Sequence, residues 1–402
     1  MQSAVLNKPY KKNGVLLKGA LLSTSTLTVM AGATIAPSLP AMREIFSNVP
    51  NVDFLVGQVL TLPALFIAIC SPLTGFLIDR FGRRTLMLVA IVLYGLSGGA
   101  GVVVPSLLLL LLARAFLGIS VAGIRTCGNT LIADYFEGEE RTQMFGLQAA
   151  FAGLGGTVFL ALGGYLADVH WRGPFFIYLL AFVIFPFIYW LLYEPDVSRS
   201  GAMADNAVGA NSVLPLRLLL FIYPISALSQ IVFYFVPVQL PFHLQNILDA
   251  SASQTGIAIA STAFFYALAS LAFGWFGQKF RNISLVMLGF TLTGIGFCLI
   301  GLASTWIVII FGLILGGFGL GLVIPNLNLW LANAAPTSIR GRLLGGFTTS
   351  LFLGQFISPF LSQPVANRFG IGGAYLTMSS ALIVIVLLLF VFRQRIDLLG
   401  KS

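Results

Sequence analysis

Two groups of charged residues are spaced to do physical work. The first is the run 75–84, Gly-Phe-Leu-Ile-Asp-Arg-Phe-Gly-Arg-Arg, where Asp79, Arg80, Arg83 and Arg84 crowd into six residues with Gly75 and Gly82 among them. One acid and three cations so close together can grip partners of either sign, or a helix end, and release them. The second group is Arg114 and Arg125, eleven residues apart in an apolar run. At about 100° per residue they project within about 20° of each other on a helix, and Gly118 and Asn129 share that broad sector. Two guanidinium groups on one such face can meet anionic or polar groups. Plainer roles compete: Arg114 can tie its helix to neighbouring carbonyls, and Arg125 can snorkel toward a membrane surface. Likewise, the basic residues of 75–84 can simply mark a cytoplasmic loop.

The elements carrying these groups follow from composition. Of 402 residues, 58% are hydrophobic and only 9% charged, with mean hydropathy +0.96. Soluble domains carry about 25% charge, so the solvent of this chain is largely lipid. Continuous apolar runs, rather than alternation, exclude a β-barrel and predict helices. Spans are expected at about 16–38, 54–78, 86–104, 107–133, 143–167 and 174–192. After the Ser-, Ala- and Gly-rich stretch 194–215 they resume at about 216–241, 254–277, 283–303, 306–332, 342–364 and 372–392. The prediction is an all-α membrane protein of twelve helices: a half at 1–193, a linker at 194–215 and a half at 216–402. The charged run is then a tight turn between spans two and three, and both arginines lie on span four. Cys70, Cys127 and Cys298 sit far apart in apolar runs, and His170 and His243 have no companions, so no metal site, cofactor or catalytic set is expected.

Counted by side of the membrane, seventeen Lys and Arg residues fall on the face that holds both termini and three (Arg43, Arg172, Arg368) on the other. The positive-inside rule makes the first face cytoplasmic. The net charge of +9 is then a topology signal with attraction to anionic lipid, not a nucleic-acid footprint. An offset of 199 residues superposes Gly75 on Gly274, Gly118 on Gly317, Asn129 on Asn328, Arg141 on Arg340 and Gly155 on Gly354. The two halves therefore repeat, which implies a pseudo-two-fold axis along the membrane normal and a site near mid-depth between them.

Gly75-x-Leu77-x-Asp79-Arg80-x-Gly82-Arg83-Arg84 resembles the loop signature of the major facilitator superfamily. Arg114-x-x-x-Gly118 and Trp171-Arg172-x-x-Phe175 resemble signatures of its twelve-span drug–proton antiporters. The resemblance implies the major facilitator fold, a monomer working by alternating access, a small-molecule substrate and a proton gradient as energy source; the short loops and lack of an appended domain point to a bacterial inner membrane. The resemblance also implies that the turn is a latch. Gly75 would let span two approach span eleven, Asp79 would face the N-terminus of span eleven, and Asp134 at the end of span four would pair with Arg83. One departure stands out: Phe159-Leu160 occupy the positions where the antiporters carry Gly-Pro in span five.

Further cavity residues are expected in the second half, where polar and aromatic residues share helix faces: Tyr223, Gln230 and Tyr234 on span seven, Asn326 and Trp330 on span ten, and Gln355 on span eleven. Aromatic walls with a few amides suit an amphipathic organic solute. All thirteen Asp and Glu residues lie at span ends or in loops, leaving Asp53, Asp134 and His243 as candidates for proton coupling. Three functions stay open: efflux of amphipathic compounds, uptake of a polar or anionic metabolite, and a non-transporting receptor on the same scaffold.

Overall fold

A computed structural model describes residues 14–195, 216–336 and 339–397. Most of the expected linker, and both chain ends, lie outside the described residues. Helix α1 (Gly14–Met30) continues through a tight turn around Pro37 into α2 (Leu39–Ile45). There follow α3 (Val52–Phe81), α4 (Arg83–Gly99), α5 (Leu107–Tyr135), α6 (Gly138–Val169) and α7 (Leu180–Leu191). The second half holds α8 (Leu216–Leu248), α9 (Ala252–Lys279), α10 (Asn282–Leu302), α11 (Trp306–Ala334) and α12 (Arg340–Asp397). Among the described residues, eleven helical stretches are long and apolar enough to cross a membrane. The last of them breaks at Gly370, whose φ of +74° suits glycine. It divides into 340–369 and 371–397 and supplies the twelfth span.

Several helices outrun their apolar cores. Helix α8 has 33 residues, about 50 Å at 1.5 Å per residue, longer than a hydrocarbon layer of about 30 Å. Its ends stay helical in the headgroup region because the backbone has no better partner there. Local signals set the other ends. The Ser106 hydroxyl caps α5 by accepting from the Leu109 amide at 3.3 Å, and Ser251 with Gln254 forms a capping box on α9.

The sequence repeat reappears as a repeat of contacts. A side chain on Gly118 would strike the Pro63 carbonyl of α3, and one on Gly317 would strike the Thr262 carbonyl of α9. Both members of the second pair lie 199 residues beyond the first. Likewise Arg141 donates to the Phe136 carbonyl (2.8 Å) and Arg340 to the Ala335 carbonyl (3.3 Å). Small residues let these backbones meet, as membrane helices require without a hydrophobic drive between them.

The halves touch from the end away from the charged turn to about mid-depth, where the Gly153 Cβ position of α6 lies 3.2 Å from the Ala267 Cβ of α9. At the end away from the charged turn, Gly164 of α6 lies against Gly256 of α9, Gly57 of α3 lies against Pro359 of α12, and Phe54 stacks edge-on against Phe360 at 4.8 Å. At the turn end the same helix pairs have parted. Cβ atoms built on Gly146 (α6), Gly274 (α9), Gly75 (α3) or Gly345 (α12) would meet no described residue within 4 Å. The pairs thus form a V, sealed at the far end and open at the turn end.

Candidate functional site

At mid-depth in the V lies a cavity of about 230 Å³. Helix α5 contributes Arg125, α8 contributes Gln230, Phe233 and Tyr234, α9 contributes Tyr266, and α12 contributes Phe352 and Gln355. The Arg125 side chain is exposed to this space, its guanidinium 5.1 Å from the centre of the Phe352 ring. Gln355 Nε2 donates to Gln230 Oε1 at 3.1 Å, joining α12 to α8 across one wall. Among the described residues no Asp or Glu lines the cavity.

Of the nine residues expected in a cavity, Arg125, Gln230, Tyr234 and Gln355 line this one together and five others do not. Arg114 is 0% exposed, packed between the rings of Phe175 (4.9 Å) and Tyr178 (4.8 Å), with no hydrogen bond to its guanidinium among the described residues. It shares a sector with Arg125, but side chains lean toward their helix N-terminus, and for α5 that is the sealed end. Asn129 lies beyond the cavity and accepts from Gln148 Nε2 of α6 at 3.0 Å. Tyr223 donates to the Leu343 carbonyl at 2.9 Å and so fastens α8 to α12. Asn326 is 0% exposed and donates to the Asn282 carbonyl (2.9 Å), and Trp330 is buried against Phe221 (5.6 Å). The shared face of α11 is real, but it turns to α10 and α8. Tyr266, an aromatic residue of span eight, and Phe352 also line the cavity; the aromatic type of Phe352 was visible in the sequence, its direction was not.

The charged turn is built within the first half. Arg83 Nε pairs with Asp134 Oδ2 at 3.2 Å, and Arg84 Nη2 donates to the Tyr189 carbonyl at 2.7 Å. Arg80 lies over the Phe81 ring. The Asp79 side chain lies outside the described residues. Gly75, expected at a close approach to span eleven, faces open space instead, because α3 and α12 diverge at this end. Glu194, just past α7, is the unforeseen member. Its carboxylate accepts from the Arg83 amide (2.7 Å) and the Arg84 amide (2.8 Å), capping α4. The clue was present: α4 begins directly after Gly82, which has no side chain to satisfy the first free amides.

The far end has a clasp of its own. Asp168, at the end of α6, accepts from the Ala252 amide (2.7 Å), the Ser253 amide (3.2 Å) and the Ser253 hydroxyl at the start of α9. A carboxylate on a helix N-terminus is favourable through both its hydrogen bonds and the helix dipole. Glu44 accepts from Gln245 Nε2 at 3.4 Å beside it, and Arg43 pairs with Asp53 at 2.5 Å within the first half. Asp168→Ala is expected to lower the population closed at the far end by about tenfold, the equivalent of one charged cap at an exposed site. Spin labels at Asn51 and Asp249 would report a larger fraction of long distances; an unchanged distribution would remove Asp168 from the clasp.

The family model described as Major Facilitator Superfamily matches residues 21–238 and 222–401. The class C tetracycline resistance protein of Escherichia coli is 26% identical over 87% of this chain and 89% of its own length. The multi-drug resistance efflux pump PmrA of Streptococcus pneumoniae is 23% identical over 85% and 88%. The bacillibactin exporter of Bacillus subtilis is also 23% identical, over 85% and 87%. Among solved structures, a bacterial homologue of the human lysosomal transporter Spinster, inward-facing and unoccupied, superposes with a TM-score of 0.77 at 16% identity over 98% of each chain. The D-xylose–proton symporter superposes with a TM-score of 0.74 at 16% identity over 92% and 96%. Two pseudo-symmetric six-helix halves, a cavity between them and a family match along nearly the whole chain lead to one conclusion: this multi-pass membrane protein belongs to the major facilitator superfamily of transporters.

Proposed function

We propose that the protein exports amphipathic organic solutes from a bacterial cytoplasm by alternating access, in exchange for protons and as a monomer. One observation carries the reading: a mid-depth cavity between the halves, sealed at one end and open at the other. The open end bears the charged turn, which the seventeen-to-three distribution of Lys and Arg assigns to the cytoplasm. In that orientation the site receives solutes from inside the cell. The efflux pump and the exporter among the relatives support the outward direction.

The cycle follows from the contacts. Solute enters from the turn end and settles among Arg125, Tyr234, Tyr266 and the Gln230–Gln355 pair. The halves then rock. Asp168 leaves the α9 N-terminus, Gly164 parts from Gly256, and Gly75 and Gly345 approach as the turn end shuts. Asp79, one helical turn beyond Gly75, then reaches the N-terminus of α12 and holds this state. Among the described residues no acid lines the cavity, so the candidates for proton coupling, Asp53 at the start of α3 and Asp134 near the end of α5, lie outside it. No cofactor enters the cycle.

Proteoliposomes under an imposed pH gradient test the direction of coupling. Accumulation of solute in vesicles with an acidic lumen is expected, because protons leaving the vesicle draw solute in. Accumulation only when the outside is acidic would replace export with proton-coupled uptake, a reading that Phe159-Leu160 in place of Gly-Pro favours. Binding without flux under either gradient would leave a receptor.

A further inference from the structure

We infer that the solute is an amphipathic organic anion, its charged group held at Arg125 and its apolar body lodged in an annex beyond Tyr234. The inference rests on the transport reading above and adds the charge and shape of what is carried. Arg125 opens into the cavity and makes no hydrogen bond or ion pair with any described residue. A guanidinium at membrane depth is costly and is normally paired. Here it faces a cavity with five donors uncommitted, and the ring of Phe352 beside it accepts none of them in a line of hydrogen bonds.

The rest of the lining repeats this bias. The hydroxyls of Tyr234 and Tyr266 bond to no described residue and are free to donate. The Gln355–Gln230 bond uses one amide hydrogen and leaves others available. Against these donors no carboxylate lines the cavity among the described residues, so a cationic solute would meet an uncompensated like charge in a medium that screens poorly. A carboxylate or sulfonate would satisfy the guanidinium bidentately and accept from a tyrosine as well.

The apolar half of the solute has its own space. A second cavity of about 90 Å³ lies between α1, α6, α8 and α9, walled by Leu160, Val236, Ile259 and Ala263. It shares Val29, Phe233 and Tyr234 with the main cavity, so the two adjoin at these residues. Its lining is mostly apolar, with Thr34 and Thr262 as polar members, and suits an apolar group. Charge at Arg125 and greasy bulk behind Tyr234 describe a head-and-tail anion.

Two probes with the same rings and permanent opposite charges test this: labelled naphthalene sulfonate and naphthyl trimethylammonium, followed in proteoliposomes with the wild-type protein, Arg125→Gln, Arg125→Lys and Ala263→Leu. Sulfonate flux is expected to exceed ammonium flux at least about tenfold, to fall at least about tenfold in Arg125→Gln and to be largely kept in Arg125→Lys. Ala263→Leu, which fills the annex, should slow naphthalene sulfonate but spare the smaller benzene sulfonate. Faster ammonium than sulfonate flux would overturn the anion assignment and leave the transport reading standing. Sulfonate flux unaffected by Arg125→Gln would do the same. Failure of both probes to move would overturn both.

Discussion

Gly164→Val is expected to abolish solute flux while leaving each half folded. A Cβ at Gly164 would lie 2.6 Å from the Ala252 carbonyl oxygen, 3.0 Å from Gly256 Cα and 3.1 Å from Ser253 Cα. All three are backbone atoms of α9, which cannot rotate aside as a side chain would. The reverse holds too: a Cβ on Gly256 would come 2.8 Å from the Leu160 carbonyl oxygen and 2.9 Å from Gly164 Cα. Because this contact joins the two halves at the sealed end, a valine must push them apart there. Overpacking of this kind costs roughly 3 kcal/mol at its upper range, equivalent to about a hundredfold loss of the closed population. The Asp168 cap, four residues along the same helix, would be pulled off the α9 N-terminus with it.

The neighbouring glycine provides the contrast. Gly163 faces Thr34 of its own half, its Cβ position 3.1 Å from Thr34 Cγ2 and closer still to the Thr34 carbonyl. Gly163→Val should therefore lower thermal stability, whereas Gly164→Val should leave stability nearly unchanged and shift the spin-label distances between Asn51 and Asp249. Wild-type flux from Gly164→Val would mean that the far end need not close as tightly as it does here.

How much of this was visible in the sequence depends on what lipid enforces. Lipid demands long apolar helices and short turns, so the spans and the turn at 75–84 could be placed by inspection. The 199-residue offset could also be read, since Gly118 and Gly317 stand where backbones touch, and such positions accept little else. The direction of each helix face could not. In a soluble protein the polar face marks the outside, but in a membrane bundle both lipid and core are apolar. Periodicity groups Asn326 with Trp330, and Tyr223 with Gln230, without saying whether a group faces the path or a neighbouring helix. Here Gln230 faces the path, while Asn326 and Tyr223 are spent on carbonyls of neighbouring helices. Arg114 and Arg125 were separable only by depth along α5. Asp168 and Glu194 act on amides 84 and 111 residues away, and no local pattern announces such a cap.

Gly82→Ala should cost the first half about 2–5 kcal/mol, more than any other single methyl in the turn. Gly82 has φ +84° and ψ 159°, a region essentially reserved for glycine, where other residues are strained by about 1–3 kcal/mol. The added methyl would also sit 2.8 Å from the Glu194 carboxyl carbon. Glu194 would have to withdraw from the Arg83 and Arg84 amides, and losing such a cap costs about 0.5–2 kcal/mol. The two terms share one cause, which makes the effect testable beyond its size. If the methyl acts by displacing Glu194, then Glu194→Ala should cost little once Gly82→Ala is present, although it costs about 1 kcal/mol alone. Thermal unfolding of the two single variants and the double variant would measure that coupling; strictly additive losses would leave only backbone strain. The same result bears on the latch. In the state with the turn end open, the turn is already pinned to its own half by Glu194, Asp134 and the Tyr189 carbonyl. Those contacts hold the shape of the turn, and the element left to cross between the halves is the α3 end at Gly75 and Asp79. A variant that weakens the pinning while α3 stays helical should therefore lose stability first and switching second, with flux per folded molecule falling less than the amount of folded protein.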